Sequence, residues 1–293
     1  MMKKLLIAAL MSTASAAMAM PLGSQSVLVV DDAGKVLVEK NADAIVPIAS
    51  LTKLMTAMVV LDAHPDMDEK IAIDRADVDL LKHSTSRVPV GGVISRRDVL
   101  QLALMSSDNR AAASLARTYP GGTDAFKRAV KAKIAALGME HTVIEEPTGL
   151  SPHNRSNAED LVKMAAAAAQ YPEITRITTS AKDTVEISGR DVGFHNTNRL
   201  VGAKGWDIGL SKTGYTSEAG RCLIMRIKSA GKSATMVLLN AKASSARVLD
   251  ALNIRRFLNG EPATPAARAG RILPAKATTT RKRGKVAARK RRS

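Results

Sequence analysis

The chain holds a single cysteine, Cys222, among 293 residues, with only three Phe, three Tyr and one Trp. One thiol excludes an intrachain disulfide framework and any metal cluster held by several cysteines. So few aromatics cannot supply the stacking platforms on which single-strand nucleic-acid binders hold successive bases. The five histidines, His64, His83, His141, His153 and His195, show no H-x-x-x-H or similar spacing, so no metal is expected. Past the first twenty residues, no run is long and apolar enough to span a bilayer.

What the chain has in excess is positive charge: 44 Lys+Arg against 27 Asp+Glu, a net +17. That charge is unevenly spread. Lys3 and Lys4 precede an apolar stretch of about 15 residues and an Ala17-Met18-Ala19 site, the pattern of an export signal cleaved after Ala19. Residues 261–293 hold eleven basic residues and one acid, including Arg281-Lys282-Arg283 and Arg289-Lys290-Arg291-Arg292. With little apolar surface to bury, such a tail is expected to be disordered. Residues 20–260 keep 31 basic and 26 acidic residues, only +5. Nucleic acid is therefore not expected as a partner. Behind an export signal, the tail suits anionic lipid or cell-wall polymer, or is simply solvated.

Between the ends, Val27–Asp31 and Val36–Glu39 around Ala33-Gly34 predict a hairpin. Helical periodicity predicts helices from Ser50 to Ala63 and from Thr123 to Leu137, the second closed by Gly138. Ser95 and Asp98 read as the start of a helix that ends near Ser106, and Ser156 with Glu159 as the capping box of one running to Gln170, stopped by Pro172. Three strand-like runs follow, Ile208–Lys212, Cys222–Lys228 and Thr235–Asn240, and then a helix, Ser244–Leu258. Strands at both ends with helices between predict an α+β fold: one antiparallel sheet built from both ends of the chain, flanking helices, and a helical lobe.

Three short motifs occur in order: Ser50-Leu51-Thr52-Lys53, Ser107-Asp108-Asn109 and Lys212-Thr213-Gly214. A second S-x-x-K, Ser229-Ala230-Gly231-Lys232, falls in a predicted turn, with no helix to align its side chains. In the first, residues three apart share a helix face, so the Ser50 hydroxyl and the Lys53 amine can meet. A serine is a weak nucleophile until a neighbouring base takes its proton. Lys53 can act so only when neutral, and burial with a second cation, Lys212, is expected to lower its pKa. The N–H groups of Ser50 and Tyr215 are candidates for an oxyanion hole. Ser107 and Asn109, in a turn between helices, would close the opposite wall and relay the proton to the leaving amine. Lys212 and Thr213, ahead of Gly214, would bind a substrate carboxylate.

The triplet is shared by class A β-lactamases and penicillin-binding proteins. The run Pro47–Ala57, with Leu104–Ala112, Glu146–Ser151, Asn196-Thr197-Asn198 and Ser211–Thr216, resembles the D-alanyl-D-alanine carboxypeptidase family, the low-molecular-weight penicillin-binding proteins of peptidase family S11. Within it the chain is most similar to the D-alanyl-D-alanine endopeptidase branch, over roughly residues 25–260. The resemblance implies a β-lactamase/transpeptidase-like fold, a Ser50 acyl-enzyme, no cofactor, periplasmic peptidoglycan stems and cross-links as substrate, and inhibition by β-lactams. Carboxypeptidase relatives carry a further β-domain and a terminal anchor, whereas a 33-residue basic segment follows residue 260 here, which favours the endopeptidase.

A DD-carboxypeptidase would use the same pocket. A class A β-lactamase needs an E-x-x-L-N-type loop, and Glu145-Glu146 continue instead as Pro-Thr-Gly-Leu-Ser. An inactive wall-binding protein would not be expected to keep every motif position. Cys222 reads as a buried apolar residue.

Overall fold

Three runs of aliphatic residues near the end of the chain become the longest strands of the protein. A computed structural model describes residues 20–263; the expected signal and nearly all of the basic tail lie outside the described residues. The first elements are β1 (Ser26–Asp31), β2 (Val36–Lys40), β3 (Val46–Pro47) and α1 (Thr52–Asp62). A helical region follows, comprising β4 (Lys70–Ala72), β5 (Val93–Ser95), α2 (Arg96–Met105), α3 (Asn109–Arg117) and α4 (Gly122–Ala136). Then come β6 (Arg155–Ser156), α5 (Ala158–Ala168), α6 (Pro172–Thr179), β7 (Lys182–Ile187) and β8 (Arg190–His195). The chain closes on β9 (Asp207–Thr216), β10 (Gly220–Ser229), β11 (Lys232–Ala241) and α7 (Ser244–Leu258).

The main sheet has the order β2-β1-β11-β10-β9, antiparallel throughout, so the predicted pairing of the two chain ends holds. Val29 lies opposite Met236, and Leu28 opposite Val237. Alternate side chains therefore enter two cores. Leu28, Ile224, Val237 and Leu239 pack with the helical lobe. Val29, Leu223, Met225 and Leu238 pack under Ala251, Ile254 and Leu258 of α7. With both faces covered, these strands read as nearly continuous apolar runs. Asp250 of α7 reaches back to the start of the described chain, accepting from the N–H groups of Gly23 (2.8 Å) and Ser24 (2.7 Å) and from the Ser24 hydroxyl (2.6 Å).

In the helical lobe α1 runs through the centre, buried at every residue from Thr52 to Val60, as suits a helix apolar on most sides. The Ser95 hydroxyl caps α2 by accepting from Asp98 N–H. The predicted Gly138 stop is a Schellman ending: Met139 N–H donates to Ile134 C=O and Gly138 N–H to Ala135 C=O, with Gly138 at φ +60. The predicted cap at Ser156 is one residue early. Asn157 caps α5, accepting from Asp160 N–H, while the Ser156 hydroxyl is turned inward to Thr142. Pro172 not only follows that helix but opens the next, α6, where its missing N–H costs no bond.

Candidate active site

Ser50 stands in a single 3-10 turn, Ala49–Leu51, that leads into α1. That turn is shaped by its neighbours. Ala49 has φ +46, unusual for a residue with a Cβ. Gly149 (φ +84) lies against the Ala49–Ser50 peptide so closely that a Cβ on it would sit 1.9 Å from Ala49 O. From the other side comes β9, the edge strand of the sheet, where a Cβ on Gly214 would meet Ile48 O at 3.0 Å and Ser50 N at 3.2 Å.

One turn into the helix, the Lys53 amine is buried among three oxygens. Its Nζ lies 3.0 Å from Ser50 Oγ, 2.7 Å from Asn109 Oδ1 and 2.7 Å from Thr148 O. As an ammonium it has a donor for each. As a neutral amine it keeps two N–H groups for Asn109 and Thr148, whose oxygens can only accept, and its lone pair is left facing the Ser50 hydroxyl. Burial lowers the Lys53 pKa to about 8, against the pull of the Glu146, Asp108 and Asp79 carboxylates. The expected part played by Lys212 is thus reversed. Lys212 is the lysine pushed well below its ordinary value, by burial first, then by the Lys53 charge and that of Arg247.

The two remaining motifs face each other across the site. Ser107, at φ +60 between α2 and α3, accepts from Lys212 Nζ at 2.8 Å. Asp108 caps α3 by accepting from Ala111 N–H. The Asn109 amide is oriented at both ends, its Oδ1 by Lys53 and its Nδ2 by Ser84 Oγ at 2.8 Å. The Thr213 hydroxyl meets that of Thr197 at 2.6 Å, and Thr197 N–H donates to Met105 O, tying the end of α2 to β9. Tyr215 is 53% exposed, and Arg221, its partner across the ladder, stacks on the ring with Cζ 3.4 Å from the centroid.

The model of the D-alanyl-D-alanine carboxypeptidase family, peptidase S11, matches residues 11–243. The chain belongs to this family. It is 49% identical over 240 residues to a D-alanyl-D-alanine endopeptidase of Pseudomonas aeruginosa, covering 81% of this chain and 77% of that one. With an Escherichia coli K12 protein of the same description it shares 45% identity at the same coverage. Among solved structures it is similar to penicillin-binding protein D2 of Listeria monocytogenes in its ampicillin-bound form. There the TM-score is 0.71 at 28% identity, over 83% of this chain and 99% of that one.

In this S11 chain, then, Ser50, Lys53 and Asn109 meet directly, and Ser107 meets Lys212. The parts played by three contributors are not legible in the sequence, although two of them lie in the Glu146–Ser151 run. Thr148 acts through a backbone carbonyl, which no side-chain motif encodes. Glu146 holds that carbonyl in place, its carboxylate accepting from the N–H groups of Thr148 (2.7 Å) and Gly149 (2.6 Å) and from Asn154 Nδ2 (2.9 Å). A carboxylate so occupied is a loop anchor. The segment 79–88, which supplies Ser84, is a loop without periodicity. Cys222 is fully buried, and burial pushes its thiol up to about 11, which fits an apolar filler.

Proposed function

We propose that the chain is a serine DD-peptidase that cleaves D-alanyl–diamino acid cross-links of peptidoglycan through an acyl-enzyme on Ser50. The observation that carries this reading is the Lys53 amine, buried, lowered to about 8, and held by two acceptors so that its free valence faces Ser50. Neutral Lys53 takes the hydroxyl proton as Ser50 attacks the D-alanyl carbonyl. The N–H groups of Ser50 and Tyr215 receive the oxyanion. Ser107, hydrogen-bonded to Lys212, passes the proton to the departing amine, and Asn109 keeps Lys53 in place. Lys212 and Thr213, with Gly214 allowing close approach, hold the carboxylate beside the scissile bond, and the carboxylate's charge in turn raises the Lys212 pKa. Water then releases the acyl group by the same base.

Identity of 45–49% to endopeptidases supports the cross-link as substrate. The second reading, removal of terminal D-alanine, is favoured by the Lys212–Thr213 pair, which suits a free terminal carboxylate equally well. Incubating the protein with a purified cross-linked dimer and with a pentapeptide monomer separates the two. Preferred cleavage of the dimer supports the endopeptidase, and release of D-alanine alone overturns it. β-Lactams should acylate Ser50 in either case.

We further propose that residues 1–19 direct export to the periplasm and that residues 261–293 hold the enzyme on an anionic membrane or wall surface. Deleting 261–293 should leave hydrolysis of soluble substrate intact and weaken salt-sensitive retention on sacculi or anionic vesicles. Unchanged retention at low salt would count against the tail's role.

A further inference from the structure

The segment 79–88 crosses the rim of the cleft and touches both of its walls. It is a built loop. The Asp79 carboxylate accepts from the N–H groups of Leu81 (2.8 Å), Lys82 (3.0 Å) and Ser84 (2.8 Å). Ser84 receives the Asn109 amide, and Ser86 donates to Asp108 at 2.7 Å. Arg87 donates to Gly193 O at 2.7 Å and stacks over Phe194. These contacts fix the loop to the helical wall and to the β7–β8 hairpin. A further contact goes the other way. Lys82 Nζ reaches Glu218 Oε1 at 2.6 Å, in the β9–β10 turn that follows Tyr215. Ion pairs such as Arg117–Asp77 and Lys133–Asp62 tie the helical lobe to itself, whereas Lys82–Glu218 crosses from lobe to sheet.

Which end it closes follows from the direction of β9, given the function proposed above. The leaving group's carboxylate lies at Lys212–Thr213 and the reacting carbonyl at Tyr215. The acyl-donor chain therefore points toward the 216–220 turn. We propose that Lys82 and Glu218 form a latch over the donor end of the cleft, a specificity determinant that admits short donors beneath it and must open for long or branched ones. Both side chains are partly exposed, at 26% and 39%, so the latch is weak and sensitive to salt. Protonation does not release it near neutral pH, because the hydrogen bond from Lys82 holds the Glu218 carboxyl down to about 2. Leu80 and Leu81, on the latched loop, are 78% and 68% exposed and offer an apolar edge beside the opening.

Acylation by benzylpenicillin, a short donor, is to be compared with acylation by a penicillin bearing a bulky fluorophore on its acyl chain. In Lys82→Ala and in Glu218→Gln the bulky reagent should gain about two- to fivefold over the short one. In the unaltered enzyme that ratio should rise with sodium chloride, and in the variants it should stay flat. The double exchange Lys82→Glu with Glu218→Lys should restore the original ratio. Parallel shifts with both reagents, or no shift at any salt, overturn the latch. Neither reagent depends on endopeptidase activity, so an enzyme that labels but spares the cross-linked dimer defeats that reading alone. If neither reagent labels, hydrogen exchange still decides: amides 80–86 should exchange faster in Glu218→Gln, and identical exchange overturns the proposal.

Discussion

Two segments of this chain spell S-x-x-K, and only one of them has chemistry around it. Ser229 and Lys232 flank a two-residue hairpin turn whose central residues, Ala230 and Gly231, are both left-handed. There the serine hydroxyl bonds outward to Asn259 and the lysine is exposed. Ser50 and Lys53 lie one helical turn apart instead, and Lys53 is walled in by Asn109, Thr148 and the edge of β9. The difference teaches that spacing brings two side chains together only if the backbone is helical. Reactivity needs the further step of burying the amine with too few counter-charges to hold its pKa at the ordinary lysine value.

The sharpest way to break this comparison is to delete each serine in turn. Ser50→Ala should abolish labelling by fluorescent penicillin with the circular dichroism spectrum unchanged, and Ser229→Ala should label like the parent. Labelling of the first variant would end the mechanism. Next in size, Lys53→Ala should slow acylation on the order of 10²–10⁴-fold, the usual worth of a positioned general base, with Lys232→Ala silent. Glycine gives a third contrast. Gly149 and Gly231 both have positive φ, but a Cβ on Gly149 drives into Ala49 O while one on Gly231 meets nothing within 4 Å. Gly149→Ala should therefore cost at least about 3 kcal/mol in urea unfolding and impair acylation. Gly231→Ala should cost about 1 kcal/mol and leave acylation alone.

A smaller test uses pH. The base form of Lys53 falls tenfold per unit below its pKa. Acylation should therefore climb with pH and level off near 8. Asp108→Asn removes a carboxylate that holds the proton on Lys53, so the rise should move to lower pH. A rise that stays in place would remove Asp108 from the electrostatics of the site.

Much of this was readable in advance, for local reasons. The three motifs, the bounds of α7 and the Gly138 ending depend on residues within a turn or two of each other. The hairpin β7–β8 turns Val185, Ile187, Val192 and Phe194 inward, but each strand carries only two apolar residues among charged ones, too few to mark it in the sequence. Ser156 stands three residues before Glu159 and so looks like a cap; tertiary packing turns it to Thr142 and leaves the capping to Asn157. The carbonyl of Thr148, its Glu146 anchor and the Ser84 contact come from chain segments tens of residues away, and although Glu146–Ser151 matches the family, no side-chain pattern there shows that a backbone carbonyl meets Lys53. The reversed roles of the two lysines depend on which is closer to carboxylates, Glu146, Asp108 and Asp79 being near Lys53.

The placement of β1 between β2 and β11 has a consequence for how the enzyme comes into being. A ribosome delivers Ser50, Lys53, Asn109 and Thr148 long before β9, β10 and β11, and β1, though paired at once with β2, must wait about two hundred residues for its second partner. Pairings so distant in sequence form late and slowly. Until they do, the β9 wall beside Ser50 is missing, and with it Lys212, Thr213 and the Tyr215 N–H. The growing chain thus carries its nucleophile in an unarmed form, and the hydrolase acquires its reactivity only when its final strands have docked.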